Sequence, residues 1–166
     1  FGLIVYKLLL LQEAGADKET LIRAAGFFVE HIHHVFTVST LKYLIKGGRL
    51  SKFKGTAGEL LDMKPVLIVD KDGSLQVLKT VRGRKKSLKA LVEYVQEHIA
   101  DPAPSVMGIC HGEDPDSLSY TKALLLDSVR PGELVESVIG CAIGAHTGRG
   151  IVGIVFFDEV CEEFEV

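Results

Sequence analysis

The stretch PVLIVDKDGSLQVLKTV, residues 65–81, gives the clearest structural signal in the chain. Its β-branched run 65–70 begins at Pro65 and ends before a turn at Asp72-Gly73, and SLQVLKTV follows that turn. Because Asp-Gly favours the tight turn between antiparallel strands, the stretch predicts a β-hairpin. The fold therefore contains a sheet with at least one antiparallel pair.

The rest of the chain alternates between helical and extended patterns, with no internal repeat and no linker long enough to split it. Helical spacing and caps predict helices over 2–14, from Asp17 to about His34, over 41–45, ending at Leu60-Leu61, over about 85–99, and over 115–128. Further strands are predicted at 35–38, 105–112, 133–140 and 151–157. This tally favours an α/β class: a two-layer domain whose mixed sheet of about six strands is covered by helices, after an initial helix pair.

Composition narrows the function. The 166 residues carry a net charge of -3 and are 25% charged, which argues against a disordered tail and a strongly basic nucleic-acid binder. Their mean hydropathy of +0.25 is high for a soluble domain. It indicates a very apolar core, or apolar surface facing a lipid, a ligand or another domain. Because Phe1 already lies inside an apolar run, we expect the chain to be part of a longer protein.

That apolar run is too short for a membrane span, because Lys7 interrupts it and Gln12-Glu13 close it. It also lacks the flanks of a secretory signal. The three cysteines form neither a disulfide framework nor a zinc motif: Cys110, Cys141 and Cys161. We therefore expect a protein of the reducing cytoplasm.

Two glycine-rich segments are candidate anion sites. In the first, Gly47-Gly48 precede Arg49 and Ser51, so backbone N–H groups and a guanidinium can approach a carboxylate or phosphate. A helix C-cap beside a solvated arginine explains the same pattern, and spacing alone favours that reading. The second segment, 144–150, places His146 among glycines in a predicted loop between two strands. It is either a site for an oxyanion or a glycine-rich turn, and it is neither a dinucleotide fingerprint nor a P-loop.

Other charged groups have simpler explanations. The basic run 79–89 suits either an acidic partner or a solvated helix start, and its lack of aromatic side chains argues against nucleic acid. The imidazoles of 31–34 fit a helix C-terminus better than a metal site. Cys110 and His111 are adjacent on a strand and point to opposite faces, so they do not form a catalytic pair. The acidic segment 158–165 is predicted to be a solvated tail.

Three segments together resemble a known family. LKYLIKGGRLSK, GELLDMKPVLIVDKDGSLQVLKTVRGRKK and AHTGRGIVGIVFF are similar, in order and spacing, to the C-terminal part of the DegV family of bacterial fatty-acid-binding proteins. VYKLLLLQEAGADKETL resembles that family's mid-chain helices. The resemblance implies that 1–34 form a helix pair at the junction with a missing N-terminal domain, and that 35–166 form the lipid-binding domain.

The resemblance also implies a function. Such proteins bury the tail of a long-chain fatty acid in the C-terminal domain, hold its carboxylate near the interdomain cleft, and present it to a separate fatty acid kinase. They are carriers and not enzymes, with no cofactor or metal. Residues near the head group would be Arg49, Ser51, His146 and Thr147, and those docking the kinase Arg82 and Arg84. Arg149 stands where the family usually has proline, which changes the expected shape of that loop.

Two alternatives remain from the residues alone. One is a binding protein or enzyme for a small phosphorylated metabolite, with Arg49, His146 and the glycine loops as an anion clamp. The other is a protein-interaction module built on the basic run. A lipid carrier needs neither a paired acid and base nor a metal, and the sequence offers neither. Since each buried methylene contributes about 0.8 kcal/mol, an apolar tunnel with few polar contacts suffices to bind an acyl chain.

Overall fold

A mixed sheet of six strands organises the computed structural model, which describes residues 1–50, 63–101 and 105–165. Along the chain the strands are β1 (Ile32–Thr37), β2 (Met63–Val69), β3 (Leu75–Arg82), β4 (Val106–His111), β5 (Glu133–Val138) and β6 (Val152–Phe157). Their order in the sheet is β3-β2-β1-β6-β4-β5. The β4–β5 pair is parallel and every other pair is antiparallel. The predicted fold class is confirmed.

Six helices accompany the sheet in the part of the chain that the structure describes. They are α1 (Gly2–Glu13), α2 (Lys18–His31), α3 (Lys42–Lys46), α4 (Arg84–His98), α5 (Pro115–Ser128) and α6 (Cys141–Thr147). The predicted cap at Asp17 is present, and Asp114 caps the helix that begins at Pro115 as predicted; each carboxylate accepts a hydrogen bond from a backbone N–H of the first turn. The helix predicted to end at Leu60-Leu61 lies outside the described residues.

The main core lies between one face of the sheet and the helices α4 and α5. Alternate strand residues point to this face, and they pack on the apolar stripe predicted for α4. Fully buried members include Val35, Leu91, Val95, Met107 and Ile154. This body of sheet and two helices is the two-layer unit that the pattern predicts.

The opposite face of the sheet carries two separate groups of helices. Toward the start of β1, α1 and α2 pack on the sheet through a cluster that includes Leu3, Phe28 and Phe157. Toward the end of β1, α3 and α6 contact each other and form the second group, and Leu44 of α3 packs in a cluster with Ile151. This face of the sheet is therefore covered near both ends of β1, and a space remains between the two clusters.

The boundary between α2 and β1 corrects the sequence prediction. The helix was predicted to continue to about His34, but it ends at His31, and the strand begins at Ile32. All six residues of β1 pair with β6, from Ile32 opposite Phe157 to Thr37 opposite Val152. Pairing along a central strand outweighs the helical periodicity of these residues. His33 and His34 consequently point to opposite faces of the sheet.

The segment around His146 is also corrected, because it is helical rather than a loop. Residues Cys141–Thr147 form α6, which an isolated peptide of this length would not sustain. Contacts with α3 support it: a β-carbon added to Gly47 would lie 2.2 Å from His146 Nδ1, and one added to Gly148 would lie 2.5 Å from the Tyr43 ring. Close helix approach therefore explains two of the glycines.

The acidic end of the chain is not a solvated tail. Phe164 is buried against Phe28, and the carboxylate of Glu165 lies 3.1 Å from the buried ammonium of Lys7. The carboxylate of Asp158 contacts two imidazoles: Oδ1 lies 2.9 Å from His31 Nδ1, and Oδ2 lies 2.7 Å from His33 Nε2. These long-range partners fix the end of the chain against α1 and α2.

Candidate functional site

A cavity of about 1030 Å³ occupies the space between the two helix groups. Its floor is the second face of the sheet, where neighbouring strands place residues side by side. One row runs Phe36, Gly153, Cys110, and the next runs His34, Val155, Gly108. Most groups lining the cavity are aliphatic or aromatic. Such a space suits a long apolar ligand, and its size lies at the upper end of the range for small-molecule pockets.

Two glycines keep the floor open. A β-carbon at Gly108 would meet the Val155 β-carbon at 3.5 Å, which is ordinary contact. One at Gly153 would lie 3.3 Å from Cys110 Sγ and 3.4 Å from the Phe36 β-carbon. Because neither position carries a side chain, the centre of the sheet leaves room where a larger residue would project into the cavity.

Arg49 reaches the cavity by way of a helix cap. Gly48 has a φ of +72°, and its N–H donates to the Ile45 carbonyl at 3.1 Å. The N–H of Arg49 donates to the Leu44 carbonyl at 2.9 Å, so the pair forms a Schellman ending of α3. The exposed guanidinium donates to Gly47 O at 3.0 Å and lines the cavity. The helix cap that the sequence offered is therefore present, and it places Arg49 at the cavity.

His146 and Thr147 line the same cavity from the last turn of α6. Within the described part of the chain, His146 Nδ1 is buried and has no hydrogen-bond partner. A buried polar atom of this kind usually has a partner, and this nitrogen instead packs against Gly47 where α6 approaches α3. The Thr147 hydroxyl donates to Ile143 O at 3.0 Å and keeps a lone pair for an acceptor role. Ser51, the fourth predicted head-group residue, lies outside the described residues.

The structure separates the two arginines that were predicted to dock a partner. Arg82 is exposed, as are Lys85, Lys86 and Lys89 of the same run. Arg84 is 22% exposed and makes internal contacts. Its Nη2 donates to Asp114 Oδ2 at 2.9 Å and to Gly150 O at 2.6 Å, and its Nε donates to Ser117 Oγ at 3.1 Å. Arg84 thereby ties the start of α5 to the segment that follows His146.

The contact of Arg84 with the start of α5 and with Gly150, called here the Arg84 junction, is closely packed. Burial alone would raise the pKa of Asp114, but hydrogen bonds from Ser117 and the charge of Arg84 hold it below its ordinary value. Gly150 has a φ of +84°, and a β-carbon there would lie 2.1 Å from Ser39 Oγ. Arg149, by contrast, points outward and pairs with the exposed Glu113 at 2.5 Å. Arg149 therefore contacts neither the cavity nor the Arg84 junction.

Histidines 31, 33 and 34 do not act as one group. His31 and His33 approach the carboxylate of Asp158 at 2.9 and 2.7 Å, away from the cavity. His34 faces the cavity, where burial, with smaller contributions from the charges of the amino terminus and His33, lowers its pKa to about 4. Residues 1–50, 63–101 and 105–165 contain no cluster of three side chains placed to hold a metal ion. The sequence prediction did not place His34 in the cavity, because a residue's face cannot be assigned until the strand boundary is known.

The His34 imidazole makes the stability of the chain sensitive to acid. Its pKa is near 4 in the folded protein and about 6.5 when unfolded, so the unfolded state takes up a proton first as the pH falls. Between about pH 7 and about pH 5 this group alone lowers the free energy of unfolding by about 2 kcal/mol. Chemical denaturation at both pH values should show that loss in the wild type and not in His34→Phe. His98→Gln, which changes an exposed imidazole, should keep the wild-type slope, and equal slopes for all three proteins would contradict the assignment.

Cys110 and His111 point to opposite faces, as predicted. The Cys110 thiol lines the cavity and donates to Gly153 O at 3.6 Å, and burial raises its pKa. His111 Nδ1 accepts from the Asp114 backbone N–H at 3.0 Å. The two side chains do not assemble a thiolate and base. In the described ranges, moreover, no helix has the length and apolar character needed to cross a bilayer.

Comparison with known proteins places this geometry in a family. The chain is 32% identical over 158 residues to a DegV domain-containing protein of Caldanaerobacter subterraneus, covering 95% of this chain and 56% of that protein. It is 35% identical over 163 residues to one of Clostridium perfringens, covering 96% of this chain and 56% of that protein. The chain thus spans little more than half the length of these relatives.

Solved structures agree with the sequence relatives. A fatty acid binding DegV family protein from Streptococcus agalactiae matches with a TM-score of 0.80 and 30% identity, over 95% of this chain and 55% of that one. A DegV lipid binding protein from Thermotoga maritima matches with a TM-score of 0.81 and 26% identity, over 93% and 54%. The Streptococcus pneumoniae Fatty Acid Kinase (Fak) B3 protein, loaded with linoleic acid, shares the fold with a TM-score of 0.83 at 21% identity, over 95% and 55%.

A family model described as "Uncharacterised protein, DegV family" matches residues 1–159, which covers the cavity, its rim and both helix groups. The predicted resemblance is therefore confirmed at the level of the family. The chain belongs to the DegV family.

Proposed function

We propose that this chain binds a long-chain fatty acid and buries its acyl tail in the cavity between the sheet and the two helix groups. The observation that carries the proposal is that cavity, whose floor is kept open by Gly108 and Gly153. At about 0.8 kcal/mol for each buried methylene, a chain of roughly 16 carbons binds tightly with few polar contacts. The fatty-acid-binding protein from Streptococcus agalactiae, at 30% identity, supports the same ligand class.

In this proposal the carboxylate head group lies at the rim of the cavity, which is the part lined by Arg49, His146 and Thr147. Arg49 supplies a guanidinium for the carboxylate, and His146 lines the same cavity. Thr147 and Ser51 complete the set that the family resemblance implies. Further groups for the carboxylate would come from the N-terminal half that the family resemblance implies; this chain spans 56% of the length of each of two relatives, which leaves room for such a half.

The protein acts as a carrier and not as an enzyme. It presents the bound carboxylate to a fatty acid kinase, as the name of the Streptococcus pneumoniae neighbour suggests for that protein. The exposed positive charges at Arg82, Lys85 and Lys86 form the docking surface, and Arg84 supports it from inside. The three free cysteines fit a reducing cytoplasm as the place of action.

Mass spectrometry of lipids extracted from the intact purified protein tests the proposal. We expect one long-chain fatty acid for each protein molecule, and we expect added hexadecanoic acid to raise the Tm of the delipidated protein. Inorganic phosphate or a sugar phosphate should leave the Tm unchanged. If phosphate compounds stabilise the protein and fatty acids do not, the ligand is instead a small phosphorylated metabolite held by Arg49 and His146.

A further inference from the structure

His34 places a polar group in the cavity floor, in a row whose neighbouring members Val155 and Gly108 are apolar. It lies on β1 opposite Val155 of β6, and Val155 in turn lies opposite Gly108 of β4. Phe36, the next residue of β1 on this face, stands in the row nearer the rim. At about 3.3 Å for each strand residue, His34 is roughly 7 Å further from the rim than Phe36. It is therefore remote from the head-group residues Arg49 and His146.

Within the described part of the chain, the His34 side chain makes no hydrogen bond or ion pair, unlike His31, His33, His98 and His111. Its lowered pKa keeps the ring neutral near pH 7. A neutral imidazole carries one N–H donor and one acceptor nitrogen. When an acyl chain fills the cavity and displaces water, leaving these groups unpaired costs free energy, which a ligand with a matching polar group recovers.

A plain acyl chain cannot supply that partner. Its carboxylate is at the rim, and the carbons that pass His34 carry only hydrogen. A hydroxyl group on one of those carbons can both donate to and accept from the neutral ring. The neighbouring floor positions at Val155 and Gly108 are apolar and offer it no competing partner.

We propose that the cavity selects long-chain fatty acids with a hydroxyl group in the middle of the chain, and that His34 is the residue that recognises this hydroxyl. The proposal rests on the proposed function, because it assumes that the acyl tail occupies the cavity with its carboxylate at the rim. It adds a ligand class and a specificity-determining residue to that function.

A paired binding measurement on the intact delipidated protein tests it, with octadecanoic acid and 10-hydroxyoctadecanoic acid as probes. The wild type should bind the hydroxy acid about tenfold more tightly, which is the size expected when a buried donor and acceptor gain a partner. His34→Phe keeps a planar ring without nitrogen, and it should bind octadecanoic acid at least as well as the wild type while losing the preference. His34→Asn, which retains a donor and an acceptor, should keep part of it.

Ser137→Ala is the matched control, because Ser137 also lines the cavity and belongs to the row of Cys110. This variant should keep the wild-type preference. Equal affinity of the wild type for the two acids overturns the proposal, and so does a preference that survives in His34→Phe. If neither acid binds the wild type, the proposed function itself has failed, so the two failures are distinguishable.

Discussion

Phenylalanine in place of Gly108 should abolish tight fatty-acid binding while the sheet remains folded. Gly108 lies within the strand β4, and a β-carbon there would contact the Val155 β-carbon at 3.5 Å, so the first carbon of the new side chain is accommodated without a clash. The ring then projects into the cavity and takes the space of about four methylenes of a bound chain. At about 0.8 kcal/mol for each methylene, the loss is roughly 3 kcal/mol, or more than a hundredfold in affinity.

Titration of hexadecanoic acid into the delipidated protein measures this effect, and circular dichroism and the Tm report the fold. Gly108→Ala is the control, because one methyl group at that distance makes normal contact and leaves the tail space open. It should bind within about threefold of the wild type, a difference of less than 1 kcal/mol. Unchanged affinity in Gly108→Phe would mean that the acyl chain does not lie over the middle of the sheet.

Local patterns were sufficient for most of the fold. The hairpin of 65–81 follows from a β-branched run, a turn and a second run, and β2 and β3 pair as that pattern predicts. The buried face of α4 follows from its helical spacing, with Leu88, Leu91 and Val95 in the core. In both cases the residues that decide the structure are close together in sequence, so periodicity and turn chemistry contain the information.

The features that the sequence did not reveal depend on partners far along the chain. Lys7 and Glu165 form an ion pair although they lie 158 positions apart, and this contact holds against α1 a segment that the sequence predicts to be a solvated tail. Helix α6 depends on its contact with α3, since seven residues that include an internal glycine are a weak helix alone. Such contacts have no local signature, and only the folded sheet brings the partners together.

Some residues of the candidate site can likewise be identified from local sequence patterns, and others cannot. Arg49 and His146 are identifiable from glycine-rich patterns, because glycine marks where helix ends and backbones come close. His34 and Cys110 are not, because a shift of one residue in a strand moves a side chain to the other face. Placing the end of α2 three residues late was enough to assign His34 to a helix terminus and remove it from the cavity.

Methionine in place of Arg84 should lower the free energy of unfolding by about 2 to 3 kcal/mol. The variant keeps the aliphatic stem but removes the guanidinium that serves Asp114, Ser117 and Gly150 O. The carboxylate of Asp114 then keeps its partial burial without its cation, which is the costly part of breaking such a pair. Urea denaturation at neutral pH measures the change.

Lys89→Met separates this role from the positive charge of the basic run, because Lys89 is exposed on the same helix and its substitution should change stability by less than about 0.5 kcal/mol. Arg84→Met should also weaken hexadecanoic acid binding, since the contact with Gly150 O holds the segment that follows His146. A variant that keeps full stability and fatty-acid affinity but loses only kinase binding would contradict the internal role. Arg84 would then act on the partner directly, and the docking surface would extend across both arginines of the run.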